Sequence, residues 1–212
     1  MTKKTTVLFD FDGVITNTEP QYDTYFNELA EKYHLGIDNF ALQVKGVTMG
    51  NIMEKYFSGF SDSDKEKITE ETYAFERQMK FEFIPGVEDF IKYLKENNYK
   101  IGLVTSSQDF KMKIALDILG LTGAFDAEVT ANRIKQGKPD PMCYQLGAKD
   151  LNSSPDECVV FEDALTGIQA ATAAGMRVIG VDTTIPADQL RDKVYAVISD
   201  FTDLNKLISF LN

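Results

Sequence analysis

The chain has 212 residues, with 33 acidic against 22 basic side chains and a formal net charge of −11. That length holds one sizeable domain or a domain with a smaller insert, and 43% hydrophobic with 11% aromatic residues is the composition of a soluble globular protein. The negative balance argues against nucleic acid or an anionic membrane surface as the main partner. It leaves room for a phosphorylated substrate, because a metal ion and one lysine can reverse the local field. The two cysteines, Cys143 and Cys158, form no CxxC pair and read as small core residues in a reducing compartment. The basic start MTKKTT leads into an apolar run that Asp10 interrupts, too short for a secretory leader. No stretch approaches membrane-spanning length, so the sequence predicts a cytoplasmic protein with no membrane partner.

In chain order, TTVLF (5–9) reads as a fully buried strand without alternation, as in a parallel sheet covered on both faces. Residues 18–83 carry only helical patterns. Thr18 and Gln21 suggest a capping box around Pro20, Tyr22, Tyr25, Phe26 and Leu29 form a stripe, and further helices are predicted near 38–45, 49–57 and 63–81. From residue 84 onward, short apolar runs KIGLVT (100–105), ECVVFE (157–162), RVIGVD (177–182) and YAVIS (195–199) alternate with amphipathic segments. In the first of these segments Val87, Phe90, Ile91 and Leu94 recur at i, i+3, i+4, i+7; others cover 108–119 and 164–174. The predicted fold is α/β, a doubly wound parallel sheet with a Rossmann-like core formed by 1–17 and 84–212, into which residues 18–83 insert an all-helical cap domain.

Three groups of polar residues fall at the carboxyl ends of predicted strands, where open α/β sheets bind ligands, and a lysine joins them. Asp10 and Asp12 follow the first strand, two apart, with Gly13 next; Thr105, Ser106 and Ser107 follow the second. Glu162 and Asp163 follow a third, and QGKPDP places Lys138 ahead of a helix that Asp140 would cap. Each has an ordinary structural explanation alone: an acidic turn, helix caps, a solvated lysine, dipole-favoured acids. Together they set four carboxylates, a hydroxyl and a lysine along one sheet edge. Such clustered carboxylates need a cation, and hard oxygen ligands suit Mg²⁺. A metal, a lysine and hydroxyl donors suit a phosphoryl group, and a free carboxylate beside that phosphorus can act as a nucleophile.

The stretches DFDGVITNTEP, LVTSS, GKPDP and FEDALTGIQAATAAG resemble, in order, the four motifs of the haloacid dehalogenase superfamily, nearest to its β-phosphoglucomutase-like subgroup. The resemblance spans nearly the whole chain, and the helical insert matches the family's smaller cap type. It implies that Asp10 attacks phosphorus to form an aspartyl-phosphate, that Asp12 protonates the leaving oxygen and deprotonates the incoming water, and that Thr105 with the Ser106 amide binds the phosphoryl group. It also implies that Lys138 bridges that group and Asp10, and that Glu162 and Asp163 hold Mg²⁺ with Asp10 and the Asp12 carbonyl.

The cap decides which acceptor follows. Where β-phosphoglucomutases carry a histidine and a phosphate-binding arginine, this chain has Tyr22 and Met49, which favours hydrolysis over sugar phosphomutase activity. Lys45, Gly46, Val47 and Thr48 form the cap loop expected to face the substrate, beside Tyr22. Met49 and Met53 read as cap core, His34 as a helix-terminal residue, and Asn17 as part of the hinge. A phospho-accepting signalling switch shares the acids, threonine and lysine, but lacks such an insert. A non-catalytic binding module predicts missing motif residues and none is missing. An EF-hand calcium loop would need spaced ligands that do not follow Asp12. The expected reaction is Mg²⁺-dependent hydrolysis of a small phosphorylated metabolite, and nothing in the sequence suggests more than a monomer.

Overall fold

A computed structural model describes residues 4–212; the first three residues of the basic start lie outside the described residues. Six strands form one parallel sheet: β1 (Thr6–Phe9), β2 (Lys100–Val104), β3 (Ala127–Val129), β4 (Cys158–Glu162), β5 (Arg177–Val181) and β6 (Ala196–Ile198). Their spatial order is β3-β2-β1-β4-β5-β6. The central strand pairs Phe9 with Leu103 on one side and with Phe161 on the other, so the strand order reverses at β1. In sheets of this kind ligands bind outside the carboxyl ends of the strands at such a reversal, where the candidate acids lie.

Period-2 geometry sends alternate β1 side chains to opposite layers. Val7 and Phe9 pack with α5 (Val87–Glu96) and α6 (Asp109–Ile118), while Leu8 packs with α7 (Met142–Asp150) and α8 (Leu165–Ala173). Phe161 is fully buried among Phe9, Phe90 and Phe201, with ring centroids 5.3, 5.5 and 5.2 Å away. Cys143 and Cys158 are buried free thiols in the other layer. Short helices α9 (Ala187–Leu190) and α10 (Leu204–Ser209) complete the core.

Between β1 and α5 stand α1 (Glu19–Lys32), α2 (Phe40–Val44), α3 (Met49–Tyr56) and α4 (Asp62–Glu76). They close around a separate apolar cluster that includes Phe26, Phe40, Ile52, Phe57 and Ile68, with Met49 buried in it and Met53 packed against it. His34 is exposed just after α1, and the Asn17 amide donates to the Glu82 carbonyl across the two connecting segments. Among the described residues no helix is long and apolar enough to cross a membrane.

Four local expectations are corrected. The three-residue edge strand β3 was not predicted, because AEV is too short and too polar to show a period. The Thr18–Gln21 capping box does not form: Thr18 makes no cap bond and donates its hydroxyl to Asp12 Oδ1 at 2.5 Å, while the Gln21 amide pairs with the Lys80 backbone. The helix expected to run to residue 81 ends at Glu76, and the chain turns so that Lys80 meets Gln21. Asp140 stands one residue outside the cap position of α7, which Pro141 holds; its Oδ1 still accepts the Met142 amide at 2.9 Å.

Phe161→Ala removes a ring from the centre of this layer. A loss of about 3–5 kcal/mol of unfolding free energy is expected, read from urea denaturation.

Candidate active site

The sheet brings the expected residues to one edge. Asp10 follows β1 with its amide bonded to the Phe161 carbonyl at 3.0 Å, and Thr105 follows β2 with its amide on Val129. Lys138, 1% exposed, places Nζ 2.9 Å from Asp10 Oδ1 and 2.6 Å from Glu162 Oε1, over the Tyr144 ring. Glu162 Oε2 accepts the amides of Asp163 and Ala164 at 2.7 and 3.0 Å. Both Glu162 oxygens therefore have partners within the protein. Asp163 accepts the Thr184 hydroxyl at Oδ2, while its buried Oδ1 has no hydrogen-bond partner among the described residues.

Asp10, Glu162 and Asp163 each offer one carboxylate oxygen, all within 4.8 Å of one another. Three buried acids around one ammonium leave an excess of negative charge. Burial raises the Asp10 pKa from 3.8 to about 7, against the pull of Lys138 and with help from Glu162. Burial, then the charges of Glu162, Glu19 and Asp10, push Asp163 well above the usual range. For Lys138, burial works against the charged form, but Asp10 and Glu162 overcome it and raise its pKa. The donor set and the orphaned Asp163 oxygen fit a divalent cation. Gly13 lies against this acid with φ +76°, and a Cβ there would overlap the Asp163 carboxylate.

The Asp12 carboxylate is turned onto a different set of donors. Thr18, Ser107 (2.9 Å) and Lys111 (2.6 Å to each oxygen) all donate to it. Lys111 is fully buried and stands over the rings of Phe11 and Tyr22. The cap closes over this edge. The Ser106 hydroxyl donates to the Gly46 carbonyl at 2.8 Å, and Thr166 donates to the Lys45 carbonyl at 3.2 Å. The cavity between cap and edge is about 70 Å³ and partly open to solvent. Small-molecule sites usually run to roughly 300–1,000 Å³, so this space is small for a substrate with the cap in this position.

Of the residues expected to face a substrate, Tyr22, Lys45, Gly46 and Ser106 line this cavity, as do Asp10, Asp12, Thr105 and Asp163. Lys45 points its ammonium at Glu19 Oε2 (2.5 Å) and Asp23 Oδ1 (2.8 Å). Thr48 is outside the lining; its hydroxyl accepts the Asn51 amide and caps α3.

A family profile described as haloacid dehalogenase-like hydrolase matches residues 7–181. The chain belongs to that family. It is 31% identical over 181 residues to a phosphorylated carbohydrates phosphatase of Thermotoga maritima, covering 82% of this chain and 84% of the relative. It is likewise 31% identical to a β-phosphoglucomutase of Bacillus subtilis, with 82% of each chain covered. A β-phosphoglucomutase structure from Clostridium difficile superimposes with a TM-score of 0.81 at 28% identity, covering 98% of this chain and 96% of that one.

Sequence reasoning missed Lys111, Thr184 and Glu76 in this haloacid dehalogenase-like hydrolase. Lys111 had a signal: it stands four residues after Ser107 and four before Ala115, on the buried stripe of α6. Thr184 and Glu76 approach from distant segments, and no local pattern marks them.

The raised Asp10 pKa sets a pH dependence. Between 3.8 and about 7 the folded protein binds more protons than the unfolded chain, so without divalent cation stability falls as pH rises through that window. Thermal melts in EDTA at pH 5 and 7.5 are expected to show this fall, and saturating Mg²⁺ to raise Tm at pH 7.5. Equal Tm values with and without Mg²⁺ at pH 7.5 would contradict the cation site.

Proposed function

We propose that this hydrolase is a Mg²⁺-dependent phosphatase of a small phosphorylated metabolite, with Asp10 as nucleophile. The observation that carries the reading is the buried Lys138 bridge between Asp10 and Glu162 beside the unpartnered Asp163 oxygen. Asp10, Asp163, the Asp12 carbonyl and the Glu162 carboxylate are the residues that would hold Mg²⁺. Bound there, the ion neutralises phosphoryl oxygens and keeps the nucleophile ionised.

Asp10 attacks phosphorus, the bond to the leaving oxygen breaks, and Asp12 gives that oxygen its proton. Thr105, the Ser106 amide and Lys138 orient the phosphoryl group. Water then attacks the aspartyl-phosphate, Asp12 takes its proton, and inorganic phosphate leaves with Asp10 restored. Thr18, Ser107 and Lys111 keep the Asp12 carboxylate off the acidic cluster during this exchange. Catalysis is mainly positioning and charge stabilisation.

Named relatives include both a phosphatase and a mutase. A mutase must also hold a second phosphate. Lys45 is the only cation among the described residues lining the cavity, and its ammonium is already paired with two carboxylates. Tyr22 donates to Glu76 at 2.8 Å. These contacts support water as the acceptor.

A phosphate-release screen over metabolite monoesters with Mg²⁺ tests the reading. Wild type is expected to turn over repeatedly, and Asp10→Asn to lose at least about three decades in kcat. Lys138→Ala should lose on the order of two decades or more. One equivalent of stable phosphoprotein with no further release would instead indicate a switch.

A further inference from the structure

Glu76 ends α4 and belongs to none of the four motifs. It is 8% exposed, lines the cavity, and its Oε1 accepts the Tyr22 hydroxyl at 2.8 Å. Its Oε2 is buried with no hydrogen-bond partner among the described residues. The neighbouring polar groups of the cap wall are engaged: Thr72 donates to the Ile68 carbonyl, Tyr22 to Glu76 itself, and Lys45 to Glu19 and Asp23. A buried acceptor left unmade disfavours the state that contains it, and a donor on a ligand relieves that cost. The wall therefore offers an unused acceptor and no free cation.

Resting on the phosphatase reading, we propose that Glu76 is a specificity-determining residue. It accepts a hydrogen bond from an O–H or N–H donor on the leaving group, so the substrate is the monophosphate of a small polyol or amino alcohol with no second anionic group. A carboxylate or second phosphate on the leaving group would face Glu76 and Glu19, and the nearest ammonium groups, Lys111 and Lys45, are already paired with Asp12 and with Glu19 and Asp23. The alkyl analogue that lacks the donor would leave Glu76 Oε2 unpaired, a strong basis for discrimination.

The test compares kcat/KM for glycerol phosphate, propyl phosphate, phosphoethanolamine and 2-phosphoglycolate in wild type, Glu76→Gln and Glu76→Ala. Acetyl phosphate serves as an independent reporter of hydrolase chemistry. Wild type is expected to prefer glycerol phosphate or phosphoethanolamine over propyl phosphate by on the order of 100-fold, and to take 2-phosphoglycolate poorly. Glu76→Ala should collapse the donor preference to within a few-fold. Glu76→Gln, which keeps an acceptor oxygen and loses the charge, should retain the preference for glycerol phosphate and lose that for phosphoethanolamine. A donor preference unchanged in Glu76→Ala, no donor preference in wild type, or 2-phosphoglycolate as the best ester overturns the proposal while acetyl phosphate turnover persists. Absence of acetyl phosphate turnover overturns the phosphatase reading, and this proposal with it.

Discussion

A fully enclosed ammonium between two carboxylates organises this molecule. Lys138 touches Asp10 and Glu162, which end two adjacent strands, so the bridge ties the middle of the sheet together at its functional edge. Such a group is tolerated only when paired and hydrogen-bonded, and removing one partner of a buried pair typically costs about 3–5 kcal/mol. Here the pairing is lopsided, because Asp163 adds a third acid with no cation of its own. The resulting demand for positive charge links folding to the proposed catalysis. The arrangement that burdens the apo protein at neutral pH is also the one that fits a divalent ion and a transferring phosphoryl group.

The two aspartates of the first motif are separated by their partners rather than by distance along the chain. Asp10 faces Lys138 and the acid cluster, whereas Asp12 is held by Thr18, Ser107 and Lys111. This division resolves the repulsion expected of two acids two residues apart, since each has its own ammonium. It also recruits three elements to one carboxylate: the hinge into the cap, the loop after β2, and helix α6. Cap closure, through the Ser106–Gly46 and Thr166–Lys45 bonds, completes the enclosure with backbone acceptors of the cap loop. Apolar contacts add to these bonds: Tyr73 of α4 meets the Phe110 ring of α6 edge-on at 5.0 Å.

Much of this was readable from residue order. Unbroken apolar runs marked five of the six strands, and the chemistry-bearing residues followed them at predictable places because strand ends in a parallel sheet converge. Resemblance to the four motifs then assigned roles that patterning alone could only suggest. The sequence did not show which partner each polar group would choose. Thr18 looked like a helix cap and serves Asp12; Lys45 looked like a substrate contact and pairs with Glu19 and Asp23; Thr48 caps α3. These are choices between local and long-range hydrogen bonds, and only the fold decides them. Glu76 was invisible for the same reason: nothing local distinguishes a carboxylate that ends up in the cavity wall from the more exposed acids around it on α4.

On the proposed mechanism Asp10 and Asp163 share one cation while Asp10 accepts the phosphoryl group. The most direct measurement is a crystal structure grown with Mg²⁺ and trifluoroberyllate, a mimic of the bound phosphoryl group. Beryllium is expected on an Asp10 carboxylate oxygen, with Lys138 and Thr105 against the fluorines and Mg²⁺ on Asp163. Beryllium bonded to Asp12 in place of Asp10, or Mg²⁺ bound away from Asp163, would contradict it.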